Sequence, residues 1–239
     1  MFREILDDLF GRELLDAHPD EWGIADHCGH PSAVGYATTI TPETIRAAVD
    51  SNVDLIVTHH DAWDFMFEQR DEVQSLLKEC GLTHVWAHLP LDLADFGTSA
   101  TLLSELGCSQ VAVLPHAEAR VGEFSEPGSL ATVRASLTSL LSEAPCRMHD
   151  AGRPVLRVAA ATGAGIYTTL VRDALSYDID LYVTGETNLY LLEYAKYKDV
   201  NVLVYSHNYT ELPGVRAFAD RIAGALGLDM KGHLGDSHW

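Results

Sequence analysis

Short runs of Val, Ile and Leu alternate with helical patterns along most of the chain. Val34 to Ile40 reads as a strand. Thr41-Pro42-Glu43 then opens a helix, with Thr41 as N-cap and Pro42 at the first helical position. Ile45, Ala48 and Val49 recur at i, i+3 and i+4, the spacing of one helix face. Val53-Asp-Leu-Ile-Val-Thr58 is nearly continuous in apolar character, as a strand buried on both faces requires. Glu68 to Cys80 predicts a helix with Gly81 just beyond it. Thr83 to His88 predicts a strand, Thr98 to Leu106 a helix stopped by Gly107, and Val111 to Leu114 another strand.

From Pro115 to Gly128 the pattern loosens, with Pro115, Gly122, Pro127 and Gly128 as breakers. A boundary is expected here, giving a first α/β lobe over 1–118 and a second over 119–239. Beyond it the alternation resumes. Helices are expected over 130–141, 167–177, 188–197 and 213–226, and strands over 155–161, 179–184 and 200–206. The last helix, Pro213 to Leu226, is expected to pack across to the first lobe. Strands alternating with helices define an α/β architecture with largely parallel sheets.

The two halves also echo one another. Ile45-Arg-Ala-Ala-Val-Asp-Ser-Asn-Val-Asp-Leu-Ile-Val-Thr-His-His60 aligns with Val171-Arg-Asp-Ala-Leu-Ser-Tyr-Asp-Ile-Asp-Leu-Tyr-Val-Thr-Gly-Glu186, identical at six of 16 positions. Composition alone gives roughly one identity. The following strands echo too: Val85-Trp-Ala-His-Leu-Pro-Leu-Asp92 matches Val204-Tyr-Ser-His-Asn-Tyr-Thr-Glu211. Two echoes in the same order predict an internal duplication.

Composition narrows the function. Sixteen basic residues against 35 acidic ones leave a net charge of −19. Direct grip on nucleic acid needs cations that this chain lacks, and an anionic membrane surface repels it. No apolar run is long enough for a membrane span. The acidic, amphipathic N-terminal segment is unlike a secretory signal, so the expected compartment is the cytoplasm. Only four basic residues are lysine. An acid-rich, lysine-poor surface suits a salt-rich cytosol, although an ordinary acidic protein reads the same way. Cys28, Cys80, Cys108 and Cys146 are far apart and predict buried free thiols rather than a zinc ribbon or disulfide scaffold.

The chemistry lies in histidines and carboxylates. His59 and His60 follow one buried strand, and His88 and Asp92 the next. Glu186 follows Val183-Thr184, and His207 and Glu211 follow the strand near Val200. All fall at carboxyl ends of strands, where open α/β sheets bind ligands. Imidazole with carboxylate and no thiolate suits zinc, iron, manganese or nickel. Adjacent histidines on a strand point to opposite sides, so His59 and His60 are expected to serve different ions. A carboxylate between two ions can bridge them, which favours a dinuclear site. Thr162-Gly-Ala-Gly165 reads as a plain tight turn or, less well, as a phosphate cradle. His18, His27, His30, His116, His149, His233 and His238 read as surface residues.

In order and spacing, Val53-Asp-Leu-Ile-Val-Thr-His-His60, His88-Leu-Pro-Leu-Asp92, Val183-Thr-Gly-Glu186 and His207-Asn-Tyr-Thr-Glu211 with Gly214-Val215 make this chain resemble the Nif-three-like dinuclear metal-centre family. That family is often labelled GTP cyclohydrolase I type-two homologs. The resemblance spans nearly the whole chain and implies two similar α/β lobes with metals in the interlobe cleft. It implies metal ligation by His59, His60, Asp92, His207 and Glu211, with Glu211 as bridge, and assembly as a homohexamer. The chain departs from the pattern at Asp61, where proline is common, at Gly23-Ile-Ala-Asp26, and after Glu186, where Asn188 and Tyr190 replace a histidine.

Two readings of function follow. One is a hydrolase with two divalent ions per chain, acting on a purine nucleotide such as GTP. In it His88, repeat-mate of His207, orients a ligand or shuttles a proton, and Glu186, repeat-mate of His60, serves as general base. The other is a metal-binding oligomeric adaptor in a stress or DNA-repair pathway.

Overall fold

The helix opening at Thr41 shows how local sequence sets the frame. Thr41 Oγ1 accepts the Thr44 N–H at 3.1 Å, and Pro42 occupies the first turn, where no N–H is needed. The computed structural model describes residues 1–115 and 119–236. Its early elements are α1 (Phe2–Phe10), α2 (Arg12–Ala17), β1 (Trp22–Ala25), β2 (Ala33–Tyr36), α3 (Pro42–Asp50), β3 (Leu55–Thr58), α4 (Gln69–Cys80), β4 (Thr83–Ala87) and α5 (Leu89–Leu93). Next come α6 (Thr98–Glu105), β5 (Ser109–Val113), β6 (Ala119–Gly128), α7 (Leu130–Leu141), β7 (Arg147–His149), β8 (Val155–Ala161), α8 (Thr168–Leu175), β9 (Leu181–Thr184), α9 (Leu189–Tyr197) and β10 (Asn201–Val204). The chain then forms α10 (His207–Leu226) and β11 (Asp229–His233).

Contacts divide the described residues into two compact units. One comprises Met1–Gly97 with the residues from Val215 onward, and the other lies within Thr98–Gly214. The residue 118/119 boundary expected from composition therefore falls inside the second unit. The loose Pro115 to Gly128 stretch is largely β6, paired antiparallel with β5 on one side and β8 on the other. Its breakers are absorbed locally. Register shifts accommodate Gly128, and Gly122 makes room for Cys108, whose Cβ would lie 2.7 Å from any Cβ added there. His116 and His238 lie outside the described residues.

In the first unit the sheet order is β1-β4-β3-β2-β11. Strands β4, β3, β2 and β11 run parallel, and β1 closes the edge antiparallel to β4. In the second the order is β5-β6-β8-β9-β10-β7, with β8, β9 and β10 parallel and β7 antiparallel to β10. Each unit, taken by itself, thus contains an antiparallel edge strand and a parallel strand–helix–strand–helix–strand run. The echoing sequences occupy equivalent places: α3-β3 matches α8-β9, and β4 matches β10. These are two similar α/β lobes.

The apolar runs bury as their period demands. In the second unit Ala159, Ala161, Tyr182, Val202 and Val204 pack with Leu170, Val171, Leu191 and Ala195 from α8 and α9. The alternate residues Val158, Ala160, Leu181, Val183 and Leu203 pack with Leu102, Leu103, Val133 and Leu137 from α6 and α7. A sheet covered on both faces reads as a continuous apolar run. In the first unit Ile45, Ala48, Ile56, Val73 and Leu77 form a corresponding cluster of α3, β3 and α4. From Val215 onward α10 contributes to this unit: Phe218 packs edge-on against Phe10, and the Arg221 guanidinium lies 4.0 Å from the centre of the Phe96 ring. Of the four cysteines only Cys108 is buried, so the expectation of buried thiols fails for Cys28, Cys80 and Cys146; all four are free. Burial pushes the Cys108 thiol up to about 12.

Candidate metal centre

The chain bends immediately after β3. The amides of both His59 and His60 donate to one carbonyl, that of Thr38, at 3.1 and 2.9 Å. This ends the pleat, and the alternation that would send the two rings apart ends with it. Their centroids lie 4.7 Å apart, and the His88 ring is 4.8 Å from His59 and 5.5 Å from His60. One ring nitrogen from each of the three falls within 4.8 Å of the others, a group that could hold a single metal ion. The expectation that His59 and His60 face apart is corrected by this bend.

Each ring is turned by a partner on Nδ1. His59 Nδ1 donates to the Ala87 carbonyl at 2.9 Å, which leaves the lone pair on Nε2. Asp92 Oδ1 lies 3.5 Å from that Nε2. His60 Nδ1 lies 2.9 Å from Thr39 Oγ1. His88 Nδ1 donates to Glu21 Oε2 at 2.6 Å. Metal-binding imidazoles are commonly held in this way through the second nitrogen. His88 occupies the N-cap position of α5 without a side-chain capping bond, and Asp92 follows one helical turn later; the sequence spacing reflects that turn.

The second unit carries a parallel arrangement. The final helix begins at His207, six residues before the expected start at Pro213, which lies inside it. His207 and Glu211 are therefore i, i+4 neighbours on one helix face. His207 Nε2 is 3.2 Å from Glu211 Oε1, and Glu211 is buried. His207 Nδ1 donates to Glu186 Oε1 at 2.6 Å. Burial opposes charge on His207, but Glu211 and Glu186 outweigh it and raise its pKa to about 9. Glu186, expected as a general base, is thus engaged in holding a ring.

The Thr162–Gly165 turn is fitted to this pair. Gly163 has φ +61°, and a Cβ added there would lie 3.0 Å from His207 Nε2 and in collision with Glu211 Oε1. Its amide donates to Thr210 Oγ1 at 3.0 Å and its carbonyl accepts from Gly185 at 3.1 Å. The tight-turn reading fits, since that amide is spent inside the protein rather than presented to a phosphate.

Three residues escaped sequence reasoning. Glu21 sits just ahead of β1, remote in sequence from His88, with no local signal. Asp236, near the end of the chain, bonds to the Thr38 amide. His84 is fully buried on β4, and Nε2–H donates to Thr58 Oγ1 at 2.8 Å while the Thr58 hydroxyl donates to the His60 carbonyl at 2.8 Å. Burial lowers the His84 pKa to about 3. Its place inside the Thr83-His-Val-Trp-Ala strand was the available sign. The departures from the family pattern have local uses. Gly23 to Ala25 form most of β1, Asp61 is buried with its carboxyl pKa raised by burial, and Asn188 caps α9.

Taken together, the molecule is a two-lobed α/β protein with histidine–carboxylate clusters at the carboxyl ends of parallel strands, a donor set suited to a borderline divalent cation. Residues 19–232 match the model of Duf34/NIF3 (NGG1p interacting factor 3), and the chain belongs to that family. It is 30% identical over 212 residues to a "GTP cyclohydrolase 1 type 2 homolog" of Halobacterium salinarum, covering 83% of this chain and 82% of the relative. A Pseudomonas aeruginosa protein of the same description is 24% identical, covering 91% and 92%. The solved structure of TTHA1606 from Thermus thermophilus has a TM-score of 0.79 at 22% identity, covering 98% and 96%. Reduced HcgD from Methanocaldococcus jannaschii gives a TM-score of 0.75 at 17% identity, with the same coverage.

Proposed function

We propose that this protein is a dinuclear metal-dependent hydrolase whose substrate is a purine nucleotide, working in the cytoplasm as a hexamer of this chain. The observation that carries the reading is the paired arrangement of His88 and His207. Both follow echoing strands, and each has a carboxylate 2.6 Å from Nδ1, Glu21 on one and Glu186 on the other. Holding Nδ1–H puts the ring's lone pair on Nε2, the nitrogen that would bind a metal. The names carried by the relatives support the nucleotide class, and the family resemblance supports the hexamer.

In this reading His59, His60 and Asp92 are metal ligands from the first unit, and His207 and Glu211 are metal ligands from the second. Two divalent ions of zinc, iron, manganese or nickel would acidify a water and polarise a phosphoryl or carbonyl oxygen. The protein's own residues provide the geometry. The Ala87 carbonyl fixes the His59 tautomer, and Thr39 the orientation of His60. Trp63 stands edge-on against His88, with ring centres 5.6 Å apart. His88 is close enough to His59 and His60 to serve as a third imidazole donor, and Glu186 acts by orienting His207.

Elemental analysis of the purified chain tests this. Two ions per chain are expected, with both lost in Glu211→Ala and mainly one lost in Asp92→Ala. One ion per chain, retained in Glu211→Ala, overturns the dinuclear centre. A nucleotide screen with the native metal then tests the substrate class.

A further inference from the structure

The platform beneath the histidine pair is secured from the far end of the chain. Asp236 is almost completely buried, its side chain 2% exposed. Its carboxylate accepts the Thr38 amide at 2.8 and 3.0 Å, the Thr39 amide at 3.2 Å and His233 Nε2 at 2.8 Å. Strand β11 delivers it: Leu234 N–H donates to the Tyr36 carbonyl at 2.8 Å, and the His233 ring stacks on Tyr36. A buried carboxylate is costly unless its oxygens are satisfied, and here several donors do so.

The Thr38 carbonyl and the Thr39 amide belong to one peptide unit. Asp236 accepts from its N–H side, and its C=O side receives the amides of both His59 and His60. An ionised acceptor on one end polarises the peptide and strengthens the carbonyl on the other. The second of these threonines also reaches the His60 ring, since Thr39 Oγ1 lies 2.9 Å from His60 Nδ1. One peptide thus links a remote carboxylate to both histidine backbones and is adjacent to the group that orients one of the rings.

We propose that Asp236 is a positioning residue for the His59–His60 pair, acting through the Thr38–Thr39 peptide to set the bend that brings the two rings together. The proposal rests on the metal-centre reading and concerns a residue outside the ligand set.

Cobalt(II), added to the full chain, is the probe, read by affinity in chelator competition and by the absorption spectrum of the bound ion. Asp236→Asn keeps the size and removes the charge. It is expected to weaken cobalt binding by about tenfold or more and to alter the spectrum. Thr39→Val removes the hydroxyl and is expected to act in the same direction. The double variant should lose less than the product of the two single effects, because both place His60, Asp236 through its backbone and Thr39 through its ring. Where circular dichroism shows that Asp236→Asn does not fold, Asp236→Glu keeps the charge but displaces the carboxylate, and an altered cobalt spectrum is expected there too. Unchanged affinity and spectrum in the folded variant, or strictly multiplicative effects in the double variant, overturn the role of Asp236. A wild-type chain that takes up no cobalt overturns the metal-centre reading and this role with it, a result distinct from wild-type uptake with indifferent variants.

Discussion

At the scale of single residues, His84 and His207 show how surroundings decide charge. His207 faces two carboxylates, and its pKa rises despite burial. His84 has Thr58 Oγ1 on its Nε2 and the Asp61 carboxyl 4.0 Å from its Nδ1, and burial lowers its pKa to about 3 from an ordinary value of 6.5. A neutral buried histidine couples folding to pH. Below 6.5 the unfolded chain takes up a proton that the folded chain refuses, so stability falls as pH drops through that value toward 3. Each pH unit in that window costs about 1.4 kcal/mol. His84→Gln keeps a donor toward Thr58 and cannot titrate. Denaturant unfolding at pH 8 and pH 5 should show wild type losing about 2 kcal/mol more than the variant over that interval. Equal losses would mean that His84 is protonated in the folded state.

Among elements, the loops at the carboxyl ends of the strands are tied by short polar links. Asn188 Oδ1 accepts the Leu191 amide at 2.9 Å and caps α9, while its Nδ2 donates to the Ile166 carbonyl at 3.2 Å. A histidine at this place could not perform both tasks in the same geometry. Asn188→Ala should cost about 1–2 kcal/mol, the sum of a lost cap and a lost hydrogen bond. Asn188→Asp should recover the cap but not the link to Ile166, giving an intermediate midpoint in urea unfolding. A midpoint for Asn188→Asp equal to that of Asn188→Ala would show that the cap contributes nothing. Pro213 illustrates a different rule: it reads as the first residue of a helix, yet α10 already runs from His207. The first two turns are held by local bonds, including Thr210 N–H to the Ser206 carbonyl at 3.1 Å and Thr210 Oγ1 to the His207 carbonyl at 2.8 Å.

For the molecule as a whole, the excess of acid dominates. A formal charge of −19 on 239 residues opposes compaction through self-repulsion. The screening length shrinks from about 10 Å at 0.1 M salt to about 3 Å at 1 M. The melting temperature should therefore rise with KCl into the molar range. A constant or falling value would leave an ordinary acidic protein, with no adaptation to salt. Among the described residues no helix is long and apolar enough to cross a membrane.

The central strand–helix alternation of each half, the duplicated halves and the His–carboxylate groups were legible in the chain because each has a local cause, whereas the edge strands β1, β7 and β11 were not. Apolar period reports burial, caps and glycines mark helix ends, and an echo is visible as identity. The strand over Ala119–Gly128 was hidden because its pairing with β5 and β8 outweighs the local signal of its breakers. The bend that turns His59 and His60 together was hidden for the same reason: it depends on Thr38, just beyond a neighbouring strand. Glu21 and Asp236 are remote from the histidines they serve, the first 67 residues from His88 and the second 198 residues from Thr38. Residue types and local spacing therefore predicted which chemistry was present. Only tertiary structure decided which nitrogen each ring presents, because a hydrogen bond between distant segments exists only after the chain has folded.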